Sequence, residues 1–200
     1  MQNHCSICRL CSEREIGNVD CKNLIKDEFY KGFWHNGRRW VKMKKSGVLT
    51  LSSLKQTKHS STYRLRNKNT VLSVTTKFTK EHENILREWS EIISGFQHRG
   101  HRDKFIFYMS THPFGEILEF RLNNKLIGFE WLILIDDTVI HQLFPWKKKE
   151  FSKLGLGTLG IEKSLEIWPT EIHFTGRRTE FKKRFGGWTF DGAYRAQEKT

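Results

Sequence analysis

Hydrophobic residues recur at helical spacing in residues 79–96, TKEHENILREWSEIISGF. On a helix with 3.6 residues per turn, one face would carry Ile85, Trp89, Ile92 and Ile93. Thr79 stands just before this pattern, where its hydroxyl can cap the first turn. The segment therefore predicts an amphipathic helix.

A different pattern fills residues 115–144, GEILEFRLNNKLIGFEWLILIDDTVIHQLF. Three apolar or alternating runs are separated by Asn123-Asn124 and Asp136-Asp137, which are residue pairs that tolerate the backbone of tight turns. The segment predicts an antiparallel meander of three strands.

Residues 151–168, FSKLGLGTLGIEKSLEIW, combine a glycine-rich turn with a helical pattern. Ile161, Leu165 and Trp168 follow at helical spacing, and Pro169 would stop the helix. The strand pattern EIHFTG comes next. Because a strand that follows a strand and a helix usually returns parallel, we expect a mixed sheet.

The rest of the chain gives weaker patterns. A short helix is predicted around Leu24, Ile25 and Phe29, a tight turn at Asn36-Gly37, and a strand in STYRLRNKNTVLSVTTKF, which alternates. A basic helix, RRTEFKKRF, and a last strand, WTFDGAYRA, would end the chain. A boundary near QHRGHRDK divides the sequence into residues 1–100, a basic sub-domain, and residues 101–200.

The charge of the chain is concentrated in its first half. The formal net charge is +13, of which +10 falls on residues 1–100, and no acidic residue occurs between Glu28 and Glu81. A basic stretch with interleaved aromatic residues fits nucleic-acid phosphates and unpaired bases. A solvated basic surface is the alternative. The residues predicted to contact nucleic acid are Trp34, Arg38, Arg39, Trp40, Arg64 and Arg66.

Two further features bear on the compartment. No run approaches the roughly 20 apolar residues of a membrane span, and the N-terminus lacks the pattern of a secretory leader. The four cysteines are few, and three crowd into CSICRLC, which fits a reduced compartment. We therefore expect a cytoplasmic protein without a membrane partner.

The order of meander, glycine turn, helix and parallel strand resembles the acyltransferase fold called GNAT. Members of that family bind the pyrophosphate of acyl-coenzyme A on the turn and helix start, where unpaired N–H groups and the helix dipole attract an anion. The fold class we expect is α/β (α+β), with a mixed, mostly antiparallel sheet flanked by helices and a smaller Cys-containing basic N-terminal sub-domain. The donor-binding residues predicted here are Leu154, Gly155, Leu156, Gly157, Thr158 and Gly160.

A second resemblance covers more of the chain. LGLGTLGIEKSLEI, FYKGFWHNGRRWVK, SSTYRLR with FTKEHENILREW, and RLNNKLIG are similar, in collinear order, to segments of arginyl-tRNA protein transferases and their bacterial leucyl-adding relatives. The family's paired cysteines fall on Ser60 and Ser61 here, and its aspartate falls on Ile133. The tail HFTGRRTEFKKRFGGW resembles the end of Fem-type aminoacyltransferases.

This resemblance implies transfer of an aminoacyl group from aminoacyl-tRNA to an amine of a protein or peptide. The partners would be tRNA and the acceptor, and the donor an aminoacyl-tRNA. Two alternatives stay open: an N-acetyltransferase that uses acyl-coenzyme A, and a non-catalytic nucleic-acid-binding protein on the same fold.

The resemblance also bears on the cysteines. In the related transferases an N-terminal cysteine pair participates in an iron-sulfur or metal site, so an iron-sulfur cluster or zinc is a candidate cofactor. Thiolates two residues apart can converge on one metal ion. The candidate ligands are Cys5, Cys8, Cys11 and Cys21, and simple reduced thiols are the alternative.

Aminoacyl transfer needs a group that takes a proton from the attacking amine. The candidates are Glu130, which interrupts the apolar run IGFEWLILI, His141 on the next strand, and Glu119 on the preceding one. A carboxylate among apolar residues is either paired or functional, whereas one at an edge can point to water.

Overall fold

The computed structural model of the protein describes residues 21–31, 33–35, 40–42, 47–50, 60–92, 99–112, 114–136, 138–141, 146–147, 149–168, 171–174 and 185. The five described helices are α1 (Cys21–Tyr30), α2 (Ser60–Arg66), α3 (Lys80–Ile92), α4 (Arg99–Thr111) and α5 (Leu156–Ile167). A 3-10 helix, Lys149–Leu154, precedes α5. The described strands are β1 (Phe33–His35), β2 (Trp40–Lys42), β3 (Gly47–Thr50), β4 (Thr70–Thr75), β5 (Gly115–Leu122), β6 (Lys125–Ile135), β7 (Thr138–His141), β8 (Trp146–Lys147) and β9 (Glu171–Phe174).

One large sheet organises the chain. Its strand order is β3-β9-β7-β6-β5-β4, with β8 also paired to β6. All these neighbours are antiparallel except β7 and β9, which run parallel on either side of α5 in sequence. The predicted α/β fold class, with a mixed, mostly antiparallel sheet flanked by helices, is therefore confirmed. The Cys-containing part of the N-terminal sub-domain lies outside the described residues, apart from Cys21 at the start of α1.

The meander is also confirmed. β5 and β6 are joined at Asn123 and Asn124, whose φ angles are 51° and 62°, and Asp136 with φ 48° begins the turn to β7. Asparagine and aspartate reach the left-handed region more readily than other side chains, because their short polar groups bond locally.

The sheet has two differently covered faces. On the first face, α1, α3 and α4 bury a core with side chains of β5 and β6 that includes Ile85, Tyr108, Phe129 and Trp131. On the second face, Leu156 and Leu159 of α5 pack on Leu118, Phe120 and Ile127. An irregularity in the β5–β6 register at Phe120/Arg121 shifts the alternation along β6.

The structure corrects the strand predicted over STYRLRNKNTVLSVTTKF. Only Thr70–Thr75 is a strand, and Ser60–Arg66 is the helix α2. Ser60, Tyr63, Arg64 and Asn67 all contact the segment 153–162. This spacing of three and four residues is that of one helix face, which tertiary packing imposes over the local alternation.

Helix α4 was not predicted, and its first residue lies inside the segment QHRGHRDK that marked a boundary. Strands from before and after residue 100 share the large sheet, since β3 pairs with β9 and β4 with β5. Of the other predicted elements, the short helix is α1, the helix of residues 79–96 is α3, and EIHFTG contributes β9. The tight turn at Asn36-Gly37 and the last strand lie outside the described residues, as does the last helix apart from Phe185, which is buried.

Candidate active site

The glycine turn lies at the start of α5. Gly155 has φ 66° and ψ 33°, in the left-handed region that favours glycine. A Cβ atom at this position would lie 2.4 Å from Cδ1 of Tyr63. Glycine is required here for two reasons, the backbone angle and the ring of α2 packed on it.

Helix α2 holds the segment that leads into this turn. The Arg66 Nη1 donates to the Lys153 carbonyl at 2.9 Å, and the Asn67 Nδ2 donates to the Leu154 carbonyl at 2.7 Å. These bonds satisfy two carbonyl groups at the end of the 3-10 helix. They fix the direction in which the chain enters α5.

The predicted donor-binding residues fall into two groups. Leu154, Gly155 and Gly157 are partly exposed, whereas Leu156, Thr158 and Gly160 are buried. The amides of Thr158 and Leu159 both donate to the Gly155 carbonyl, at 2.9 and 3.2 Å. The amides of Leu156 and Gly157 come before these bonds, at the positive end of the helix.

Glu130 is wholly buried beneath α5. Its Oε2 accepts a hydrogen bond from the Ser164 Oγ at 3.0 Å. A Cβ atom at Gly160 would come within 2.6 Å of the same oxygen. The small residues at 160 and 164, one helical turn apart, therefore make the space in which this carboxylate is held.

A second buried carboxylate, Glu162, joins α5 to α2. It accepts hydrogen bonds from the Ser60 Oγ and from Arg64, whose Nη2 lies 3.2 Å from Oε2. The Glu162 side chain is 1% exposed and the Arg64 side chain is 43% exposed. The Arg64 side chain thus binds Glu162 and also contacts solvent.

Glu119 lies on the other face of the sheet. β5 pairs Leu118 with Glu130 and Glu119 with Phe129, so Glu119 and Glu130 project on opposite sides. The Glu119 carboxylate accepts hydrogen bonds from the Ser73 Oγ at 3.0 Å and the Arg121 Nε at 2.8 Å. The structure therefore does not bring these two predicted residues together.

His82 of α3 completes the group around Glu119. Its Nδ1 accepts a hydrogen bond from the Thr79 amide at 2.9 Å, which places the ring proton on Nε2. Nε2 lies 3.0 Å from the Glu119 Oε1. Its N–H is not aligned with that oxygen, so Nε2 makes no hydrogen bond among the described residues.

The protonation of this group follows from its surroundings. Burial lowers the pKa of His82, more than the nearby Glu119 raises it. Burial alone would raise the pKa of Glu119, but the hydrogen bonds from Arg121 and Ser73 outweigh it and the net shift is downward. Near neutral pH the pair is therefore a neutral imidazole beside a carboxylate that Arg121 balances.

Of His141, the third predicted catalytic residue, only the backbone is described. It pairs with Leu132, two residues along β6 from Glu130. β7 pairs with residues 132–135 of β6 and β8 with residues 128–129, so Glu130 lies between the ends of these two strands.

The predicted nucleic-acid contacts occupy two places. Trp34 and Trp40 lie in the two-stranded sheet of β1 and β2, where Trp34 pairs with Val41 and His35 with Trp40. Arg64 and Arg66 lie on α2. Arg38 and Arg39 are outside the described residues.

The predicted metal ligands Cys5, Cys8 and Cys11 also lie outside the described residues, and Cys21 is described only as the start of α1. Within the described part of the chain, no three His, Cys, Asp or Glu side chains converge as a metal site requires. None of the helices described here is long and apolar enough to cross a bilayer.

Sequence reasoning missed Glu162, Ser164, Ser60 and His82. Two signals could have found some of them. Gly160 and Ser164 are small residues one turn apart on an apolar helix face, which indicates a space that another group fills. Ser60 and Arg64 are also four residues apart, but this spacing places them on one face only if the segment is a helix, which its sequence did not predict.

No family model and no curated protein matches the chain, whereas solved structures do. Among solved structures, the C-terminal domain of a protein described as a lysylphosphatidylglycerol synthetase from Agrobacterium fabrum is similar, with a TM-score of 0.50, 12% identity, and coverage of 84% of this chain and 63% of that one. The L-PGS structure from Bacillus licheniformis gives a TM-score of 0.48, 13% identity, and coverage of 82% and 61%.

A GCN5-related N-acetyltransferase from Kribbella flavida is also similar, with a TM-score of 0.40, 9% identity, and coverage of 78% of this chain and 60% of that one. The chain thus spans about three fifths of the length of these structures. The likeness to the Agrobacterium domain shows a shared fold.

Proposed function

We propose that this protein is an aminoacyltransferase that takes an aminoacyl group from an aminoacyl-tRNA and transfers it to an amine of a protein or peptide. The observation that carries the proposal is the start of α5. There a left-handed glycine leads into the helix, and Arg66 of α2 binds the segment that enters this turn. Such a site attracts the anionic part of an acyl carrier.

Two features favour tRNA as the carrier. The basic excess of residues 1–100 offers more positive charge than one small cofactor needs, and α2, which belongs to that half, packs directly on α5. The Agrobacterium domain with the same fold carries a name that denotes a lysyl group joined to phosphatidylglycerol. That name supports an aminoacyl group as the transferred group.

The chemistry requires little beyond positioning and one proton transfer. The lone pair of the amine attacks the ester carbonyl carbon of the aminoacyl-tRNA, an amide bond forms, and the ester C–O bond breaks. The amine proton passes to a base, and the terminal ribose oxygen leaves and takes up a proton. Positioned donors lower the barrier by stabilising the developing oxyanion.

Glu130 is the base that we assign to this step. It lies on β6 between the ends of β7 and β8, under the helix whose first turn we propose as the donor site. The Ser164 hydroxyl donates a hydrogen bond to its carboxylate and so fixes the direction in which Oε2 points. Since Glu130 is buried, amine binding has to open the contact between α5 and β6.

A comparison of donors tests the proposal. The purified chain is given radiolabelled aminoacyl-tRNAs in one series and radiolabelled acetyl-coenzyme A in another, each with peptides that carry free amines. We expect label in the peptides from aminoacyl-tRNA only. Label from acetyl-coenzyme A alone would replace this function with the N-acetyltransferase alternative.

A further inference from the structure

We propose that five exposed cations beside the start of α5 form one surface that binds the phosphates of an RNA strand. We call this surface the α2 patch, and it consists of Arg64, Arg66, Lys68, Lys149 and Lys153. The inference rests on the proposed function, because it gives the tRNA a contact next to the donor turn.

The hydrogen bonds between α2 and the 3-10 helix bring these cations together. Arg66 donates to the Lys153 carbonyl, and Asn67 donates to the Leu154 carbonyl. Arg66 and Lys153, which are 87 positions apart in sequence, therefore lie side by side. Lys149 and Lys153 belong to the 3-10 helix, which at about 2 Å per residue extends the surface by roughly 10 Å from the turn.

The patch is positive and open to solvent. All five side chains are in exposed positions. Two carboxylates reduce its charge, Glu162 by pairing with Arg64 and Glu150 within the 3-10 helix, which leaves three positive charges. A surface of this kind gains binding energy when it displaces the counterions of a polyanion.

An apolar side chain distinguishes the patch from a simple anion site. Leu65, which lies between Arg64 and Arg66 in sequence, is 70% exposed. A free inorganic anion has no group to cover a leucine, whereas the bases and sugars of a single strand do. The combination favours RNA over a small phosphate.

Matched glutamine substitutions test the patch. Binding of uncharged tRNA is measured against salt concentration for the full chain, for Lys153→Gln, and for Lys68→Gln combined with Lys153→Gln. Lys77→Gln is the control, since Lys77 is an exposed lysine just after the other end of β4. Thermal melts check that all the variants remain folded.

Each patch lysine that is replaced should lower the affinity for tRNA about fourfold at 0.15 M salt. Each should also reduce the slope of log affinity against log salt concentration by about 0.7. Lys77→Gln is expected to bind as the unmodified chain does. The patch would be overturned if Lys77→Gln weakened tRNA binding as much as the patch variants do, or if the double variant kept full affinity for tRNA. It would also be overturned if the unmodified chain bound no tRNA.

Two further readouts separate the patch from the proposed function. In transfer assays the double variant should raise the KM for aminoacyl-tRNA and leave kcat near its original value. Transfer with an unchanged KM would overturn the patch alone. If the double variant binds tRNA more weakly but the unmodified chain transfers no amino acid, the patch is supported and the proposed function is overturned. A loss of acetyl-coenzyme A binding without loss of tRNA binding would overturn the patch as an RNA surface.

Discussion

The two faces of the large sheet bury carboxylates in different ways. On the first face, Glu119 is held by Arg121 and Ser73 and lies against His82. On the second face, Glu130 receives a hydrogen bond from the Ser164 hydroxyl, and Glu162 is shared by Ser60 and a partly exposed Arg64. The arginine that meets Glu119 is 26% exposed, whereas the arginine that meets Glu162 is 43% exposed.

This difference indicates which face can serve a reaction. A carboxylate that is bound by an arginine has its charge and its lone pairs in use, so a substrate would have to displace that partner. A carboxylate oxygen has more than one lone-pair site, so a hydrogen bond from a serine hydroxyl does not by itself block a further donor. The second face also carries the glycine turn, so its polar groups and the anion-attracting end of α5 lie on the same side of the sheet.

The largest effect is expected for Glu130→Gln, which removes the proposed base while keeping the size of the side chain. A positioned general base contributes about 10²- to 10⁴-fold to rate, so transfer should fall by that factor. Glu119→Gln is the matched variant on the other face, and it should retain far more activity. Steady-state transfer assays compare the two, and a greater loss for Glu119→Gln would reverse the assignment of the faces.

Gly155→Ala should cost about 2–4 kcal/mol of unfolding free energy, because alanine is strained at positive φ and its Cβ would overlap the Tyr63 ring. Denaturant unfolding measures this loss. In the background of Tyr63→Ala the same substitution should cost only the backbone part, about 1–2 kcal/mol. Equal costs in both backgrounds would contradict the packing of α2 on the turn.

Paired arginine substitutions compare the two charge arrangements directly. Arg121→Met leaves Glu119 buried without its guanidinium partner and should cost about 2–4 kcal/mol. Arg64→Met should cost only about 1 kcal/mol, because the Arg64 side chain is 43% exposed and Ser60 still bonds Glu162. Chemical denaturation measures the unfolding free energy of both variants. A greater loss for Arg64→Met than for Arg121→Met would refute the contrast between the faces.

The smallest effect is a dependence of stability on pH. The folded-state pKa of His82 is below its ordinary value of 6.5, mainly because of burial. The unfolded chain therefore binds more protons just below pH 6.5, and the unfolding free energy should fall as the pH decreases through that range and level off below the folded pKa. His82→Gln should flatten this part of the curve.

The pH profile also has a second, lower region. The pKa of Glu119 is lowered from 4.5 by its hydrogen bonds, so its contribution to stability is present above pH 4.5 and is lost as the pH falls through the folded pKa. If His82→Gln leaves the profile just below pH 6.5 unchanged, His82 is not the group responsible for that part of the curve.

Much of the second half could be predicted from the sequence, because its signals are local. The turn pairs at Asn123 and Asp136 mark the ends of strands, and the glycine turn with the apolar residues of α5 marks a helix start. The parallel return to β9 follows from chain topology. These features need no knowledge of distant contacts.

The site could be predicted only in part, because its contacts join distant segments. Alternation in STYRLR predicts a strand, yet the packing of Tyr63 on Gly155 and the bond of Ser60 to Glu162 make it a helix. Glu119 and Glu130 look equivalent in sequence, and only the β5–β6 register shows that they face opposite ways.

If an aminoacyl group moves from tRNA to an amine, the amino acid must leave the tRNA and appear in the acceptor. A decisive experiment therefore follows both molecules. A tRNA charged with a radiolabelled amino acid is mixed with excess enzyme and an amine-bearing peptide, and label is counted on the tRNA and in the peptide over a single turnover. We expect each amino acid lost from tRNA to appear in an amide bond of the peptide, and we expect Glu130→Gln to slow both events together. Loss of label from tRNA only at the rate of spontaneous hydrolysis, with none in the peptide, would contradict this expectation.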